Sequence, residues 1–363
     1  MIDERAALPS ASSAGRYFTC PGSFLLEQQV TDPERSSEDA NVGNKIHAWL
    51  AGEPFGTLTD DQRELALDCV RQRKELAESV LGVGPYHTRL EVRLWFYDEL
   101  FNKSWSGKPD VIYARGNRAL IIDYKTGRGS VENAVGNLQL RALAVLLAES
   151  DTELEEITVA IIQPLAGEPS TCTYVRLDLD RARVEINKVM ARVKRPGQPR
   201  VPSTDACKYC RAKTICPEAQ AVVETLPATV QKESGEIMMS PDQIAAFLDK
   251  IPLAEAVIES VRGKARRILE AGGAIPGWKL KPGAVRESIT RPEVVFGRFV
   301  QAGGTQEQFA GAITITKTKF RDAVKTATGS KGKALDELVE GLLEDCTEQK
   351  ANPPSIIKEK ANE

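Results

Sequence analysis

The hydrophobic pattern along the chain changes period near residue 88. Before that point apolar positions recur three and four apart, the spacing of helices that bury one face. A short helix within 15–29 is expected to break at Pro21. A second covers about 39–52 and stops at Gly52 before Pro54, and a third covers about 59–81, opened by Thr59 and Asp60. From 88 the pattern alternates, and "TRLEVRLWFYD" is rich in branched and aromatic side chains, so it predicts a strand. "WSGKPDVIYAR" and "RALIIDYKTG" predict two more, joined through Gly116-Asn117, a pair that tolerates the positive φ of a tight hairpin turn. Residues 131–149 have the spacing of a largely buried helix. "EITVAIIQP" and "TCTYVRLDL" predict further strands, and a helix follows over about 179–194. This order predicts an α/β fold, a mixed sheet flanked by helices.

Beyond it, "PEAQAVVETL" reads as helix and the polar run 228–236 as a linker. Ser240, Pro241 and Gln243 restart a helix, as cap, first-turn proline and partner in a capping box. Domains are therefore expected at 1–227 and 237–346, the second mostly helical, with a tail over 347–363. The composition is that of an ordinary globular protein, with 42% hydrophobic and 27% charged residues and a formal net charge of -3. That balance neither requires nor excludes a nucleic-acid partner, because the placement of charge decides. No apolar run approaches the roughly 20 residues of a membrane span. The N-terminus lacks the basic and apolar regions of a secretory signal. A cytoplasmic location and no membrane partner are expected, and there thiols stay reduced and clustered cysteines bind metal more often than they pair.

The central hairpin carries the chemistry. In a strand, residues two apart share a face, so Asp123 and Lys125 point one way and Tyr124 the other. A hairpin turned at 116–117 lays Asp110 opposite Asp123. Two carboxylates and an ammonium then converge, and a hard divalent cation, Mg²⁺ or Mn²⁺, relieves the repulsion between the carboxylates. Such an ion activates water for displacement at phosphorus, and Lys125 adds positive charge where the phosphate grows more negative. A plain salt bridge on a solvated hairpin is the alternative. The apolar "ALII" before Asp123 weighs against it, since it carries the carboxylate into a buried strand.

"GKPD", then "DYK", then "NLQLRALAVLL" resembles the PD-(D/E)XK nuclease core, in the RecB-like branch that includes CRISPR-associated exonucleases and the AddB nuclease domain. The resemblance covers about residues 10–220 and implies a restriction-endonuclease-like core with a helical C-terminal domain. It carries over His47, four residues after Gly43, as a metal ligand. It makes Asp110 and Asp123 metal-binding and catalytic, Tyr124 a ligand through its carbonyl, Lys125 catalytic, and Gln139 a positioning group. The family's tyrosine position holds Leu143. Glu91, on the preceding strand, is open between metal site and surface charge, and His87 reads as structural.

"CKYCRAKTICP" supplies Cys207, Cys210 and Cys216, three thiols where a tetrahedral site needs four. Cys69 reads as helix core, Cys172 as mid-strand and Cys346 as part of a remote helix. In the iron–sulfur branch of these nucleases one cysteine precedes the nuclease motifs and three follow, so the resemblance implies a [4Fe–4S] site held by Cys20, Cys207, Cys210 and Cys216. Zinc on the same thiols is the alternative. Lys188, Arg192, Lys194, Arg195, Arg200, Lys208, Arg211 and Lys213 face Asp205 alone, a stripe that suits a phosphate backbone or a solvated helix end. The expected function is a metal-dependent DNA exonuclease acting on single-stranded or duplex ends in a bacterial host. Its setting is phage or prophage recombination, where a single-strand-binding or annealing protein is a candidate partner. A non-catalytic DNA-binding adaptor and a zinc-stapled endonuclease are the alternatives.

Overall fold

The computed structural model of the chain describes residues 8–30, 38–53, 57–127, 131–225, 232–233, 236–237, 240–280, 292–301, 305–306, 317–330 and 332–343. The expected tail over 347–363 and most of the expected linker over 228–236 lie outside them. The first part is helical: α1 (Ala14–Thr19), α2 (Ser23–Glu27), α3 (Glu38–Leu50) and α4 (Asp60–Leu81). The break between α1 and α2 falls at Cys20–Gly22, around Pro21. Thr59 caps α4 in a reciprocal capping box with Gln62.

Two sheets follow. β1 (His87–Leu90), β4 (Val111–Arg115), β5 (Arg118–Tyr124), β6 (Glu156–Ile162) and β7 (Ser170–Val175) form a mixed five-stranded sheet in the order β1-β4-β5-β6-β7. β2 (Leu94–Tyr97) and β3 (Lys103–Gly107) pair separately. The sequence predicts one strand over 88–98 and another over 105–115, and the structure breaks both. Glu91 takes φ 51, a left-handed conformation costly for a residue with a side chain, and its amide donates to the Asp110 carbonyl at 3.0 Å. Alternation alone cannot register a break at one level in both strands. Gly116 has φ 59 at the hairpin turn, as expected.

β5 runs parallel to β6, and such a pair needs a crossover, here α5 (Leu138–Ser150). The structure starts this helix at Leu138, capped by Asn137, seven residues after the expected 131, because the side chain of Asn137 accepts the Leu140 amide at 3.0 Å. α6 (Arg176–Val193) starts slightly earlier than expected. Along β5, Ala119 and Ile121 pack toward α5 and α6, while Leu120, Ile122 and Tyr124 pack toward α3 and α4. The sheet is thus covered on both faces, and β5 is apolar from Ala119 to Ile122, up to Asp123.

After α6 the chain returns to the N-terminal helices. The Gly22 amide donates to the Pro199 carbonyl at 2.9 Å, and a Cβ on Gly22 would lie 2.4 Å from the Gln198 carbonyl oxygen. α7 (Thr204–Lys208), α8 (Pro217–Thr225) and α9 (Pro241–Glu270) complete this part. Ser240, Pro241 and Gln243 act as read from sequence. Leu253 and Val257 of α9 bury against Cys207, Cys210, Cys216 and Leu26. The first compact unit therefore spans Met1–Leu280, past the polar stretch read as a boundary, because α9 buries its apolar face there. The second unit, Lys281–Glu363, contains helices Pro292–Gln301, Lys317–Thr328 and Gly332–Leu342. Its last two pack through Val324, Leu335 and Val339, with Arg321 bonded to Asp336 at 2.9 Å.

Gly107 shows how tightly the site's supports are packed. A Cβ there would lie 2.5 Å from Leu143 Cδ2, 2.8 Å from Leu146 Cδ1 and 2.9 Å from the Cβ of Ala11. Gly107→Ala is expected to destabilise the first unit by about 1–3 kcal/mol through overpacking, read as a lower denaturant midpoint at unchanged slope.

Candidate functional site

β4 begins and β5 ends at the same edge of the sheet, where both helical layers reach it. The β4–β5 register pairs Val111 with Ile122, so one step further lays Asp110 beside Asp123. Asp110 Oδ2 accepts the Tyr124 amide at 2.6 Å. Tyr124 turns its ring into the core toward α3 and α4, and Asp123 faces the other way. From α5, Gln139 Nε2 donates to Asp123 Oδ1 at 2.7 Å, and Lys125 Nζ lies 2.6 Å from Asp123 Oδ2. From α3, His47 Nδ1 stands 3.3 Å from Asp110 Oδ1, its ring edge-on to Tyr124 with centroids 5.9 Å apart. Gly43 and His47 are one helical turn apart and share a face, and a Cβ on Gly43 would be 3.5 Å from Thr126 Oγ1.

His47, Asp110, Asp123, Tyr124, Lys125 and Gln139 are therefore brought together. Tyr124 is tied to the site through its amide. Leu143, buried against Gly107, fills the interior where the resemblance has a tyrosine.

Glu91 joins them. Ligand atoms of His47, Glu91 and Asp110 all lie within 4.8 Å of one another, and the Lys108 ammonium pairs with Glu91. Sequence reasoning left Glu91 open and missed Lys108. The positive φ of Glu91 turns its carboxylate inward, and a regular strand carries no sign of that kink. His87 lies exposed on β1.

The electrostatics follow from burial. Asp123 is 5% exposed, and burial pushes its carboxyl above the usual range, with Asp110 adding to the rise and Lys125 opposing it. Burial also raises Glu91, more than Lys108 lowers it. For Lys125 and His47 burial acts downward. It is outweighed by Asp123 at Lys125, and at His47 by the Asp110 hydrogen bond and the charges of Asp110, Asp123 and Glu91, so both are raised. Three carboxylates thus face two ammoniums and an imidazole that favours its charged form. Carboxylate oxygens with one imidazole, and ligand atoms of His47, Glu91 and Asp110 within 4.8 Å of one another, fit a hard divalent cation.

The four cysteines lie elsewhere, at the junction of α1, α7 and α8. All are buried, and the Cys20 sulfur accepts the Val201 amide at 3.2 Å. Burial raises the thiols of Cys207 and Cys216, and that of Cys210 to about 11. Among the described residues no three of these thiols gather within 4.8 Å. A single tetrahedral zinc ion would draw its sulfurs to about 3.8 Å from one another. Cys69 is buried beneath the sheet and Cys172 lies on β7, both apart from this junction. Cys346 lies outside the described residues.

Of the expected phosphate-tracking cations, Lys194, Arg195 and Lys208 are exposed and Lys213 is half-buried. Lys194 donates to Ser104 at 3.1 Å. Arg200 is committed to Glu218, with bonds of 2.5 and 2.7 Å that hold the Glu218 carboxyl down at about 2. Arg211 donates to the Val30 carbonyl at 3.3 Å.

The folded state raises His47 above its ordinary 6.5, so the His47–Asp110 pair stabilises fully below that value and the contribution is lost as pH rises through the folded pKa. An NMR titration of the metal-free protein is expected to place His47 above 6.5 and to bring it down in Asp110→Asn.

Among the described residues no helix is long and apolar enough to cross a membrane. The chain is similar to a solved structure described as "Crystal structure of SSO0001", at 15% identity over 60% of this chain and 88% of that one. The TM-score is 0.32, too low to bear on the fold. A family described as "Protein of unknown function (DUF2800)" matches residues 60–361. That match takes in both sheets, the carboxylate edge and the helical C-terminal region, and the chain belongs to this family.

Proposed function

We propose that the chain is a divalent-metal-dependent deoxyribonuclease built on a RecB-like PD-(D/E)XK core, working as an exonuclease on single-stranded or duplex DNA ends. The observation that carries this reading is the convergence of His47, Asp110, Asp123, Lys125 and Gln139 at one sheet edge, where His47, Asp110 and Glu91 offer ligand atoms within 4.8 Å of one another. His47, Asp110 and Asp123 hold the metal, with Glu91 as a further carboxylate and the Tyr124 carbonyl within the same strand end. A bound Mg²⁺ or Mn²⁺ supplies positive charge at the phosphate and lowers the pKa of its water. Gln139 fixes one oxygen of Asp123, so the carboxylate keeps its orientation when Lys125 engages substrate. Lys125 is charged, anchored beside Asp123 and one-third exposed, and it donates to phosphate oxygens as negative charge builds on them. Lys194, Arg195 and Lys208 offer the backbone exposed cations, with half-buried Lys213 bonded to the Lys208 carbonyl, while Arg200 and Arg211 hold the intervening segment through Glu218 and Val30.

The four buried thiols serve as a staple between the N-terminal helices and the segment that follows α6. The C-x5-C spacing and the distant first cysteine favour a [4Fe–4S] cluster over zinc on these thiols. Closing so long a loop confines the flanks of the site.

With end-labelled DNA and Mn²⁺, Lys125→Ala is expected to lower cleavage on the order of 10²–10³-fold while binding in Ca²⁺ persists. Unchanged cleavage would overturn the role of Lys125, and binding without any wild-type cleavage would make the protein an adaptor. Resistance of closed-circular DNA separates exonuclease from endonuclease.

Anaerobic purification is expected to give a brown protein with a broad visible band that Cys207→Ser removes. Colourless protein with stoichiometric zinc would contradict the iron reading.

A further inference from the structure

The turn between Cys207 and Cys210 presents Tyr209 with 76% of its surface exposed. Its backbone is held from several directions. The Tyr209 carbonyl accepts Arg16 Nη1 at 3.2 Å, and that guanidinium is forked onto Glu27 at 2.7 and 2.6 Å. Glu27 Oε1 also takes the Arg211 amide at 2.7 Å, and the Cys210 amide closes the turn on the Cys207 carbonyl at 3.2 Å. A ring carried on such a frame gives up little freedom when it meets a ligand.

Cations surround it. Lys208 Nζ lies 5.2 Å from the ring centroid, and Lys213 Nζ is drawn in by the Lys208 carbonyl at 3.0 Å. Glu27, the acid nearest in this frame, is already neutralised by Arg16. A solvent-facing aromatic on a fixed turn, with ammoniums beside it, is the combination that stacks a nucleobase while the cations hold the adjoining phosphates.

We propose that Tyr209 is a base-stacking platform, seating the unpaired terminal nucleotide of a DNA strand. The inference rests on the nuclease reading and narrows its substrate to ends with an unstacked base. Because the ring touches a base and not the reacting phosphate, it strengthens ground state and transition state alike.

The test uses the full-length chain and a single-stranded oligodeoxynucleotide with terminal 2-aminopurine, in Ca²⁺ so that it binds uncut. Wild type is expected to quench the fluorophore. Tyr209→Ala is expected to lose the quenching and bind roughly ten-fold more weakly, with an unchanged melting temperature. Tyr209→Phe and Tyr209→Trp are expected to retain both. In Mn²⁺ the alanine variant should raise KM and leave kcat within about two-fold. Quenching by Tyr209→Ala equal to wild type overturns the platform while leaving the nuclease reading in place. A loss in Tyr209→Phe as deep as in Tyr209→Ala overturns it too, because the hydroxyl is then responsible. A wild-type protein that neither binds nor cuts DNA overturns the nuclease reading itself.

Discussion

The structure turns on one buried carboxylate. Asp123 lies near the end of a strand covered on both faces, and an ionised group there is costly unless charge and hydrogen bonds meet it. Lys125 supplies the charge from two residues along the same face, and Gln139 supplies the hydrogen bond from the crossover helix. Both depend on distant packing. α5 holds its position because Gly107 lets Leu143 and Leu146 close onto β3, and Lys125 holds its place because its amide bonds to the Ile162 carbonyl at 2.9 Å. Asp110 is fixed in turn by the Tyr124 amide and faces His47 from the other helical layer. A site assembled from both faces of a sheet can form only at the sheet's end, where neither layer blocks the other.

A second constraint acts over long sequence distance. Arg16, Cys20, Gly22 and Glu27, on and between the first two helices, take their partners from residues 199–211, so the segment after α6 closes on the beginning of the chain. That closure fixes the turn that carries Tyr209, with Lys208 beside its ring. It also explains why α9 belongs to this unit: the cysteine segment presents an apolar surface that Leu253 and Val257 cover.

Much of this was legible along the chain, because much of it is local or periodic. Alternation and the Gly116-Asn117 turn set the register that brings Asp110 to Asp123, and the i to i+4 spacing set Gly43 and His47 on one helix face. The caps at Thr59 and Ser240 were readable because a capping box needs only neighbouring residues. What escaped is what neighbours do not determine. The kink at Glu91 leaves the apolar pattern of residues 88–98 intact while redirecting a carboxylate into the site, and Lys108 acquires its partner only through that kink. The late start of α5 reflects the Asn137 cap, where apolar spacing already favoured helix from 131. Arg200 was counted among cations free for phosphate, yet Glu218 holds it, a pairing eighteen residues away that charge counting cannot see.

The central claim is that these side chains gather to hold a divalent ion. Anomalous diffraction from crystals soaked in Mn²⁺ tests it most directly. The account predicts a single strong peak within coordinating distance of His47, Asp110 and Asp123, absent in Asp110→Asn. Mn²⁺ bound elsewhere, with the Lys125–Asp123 and His47–Asp110 pairs unmoved, would contradict it.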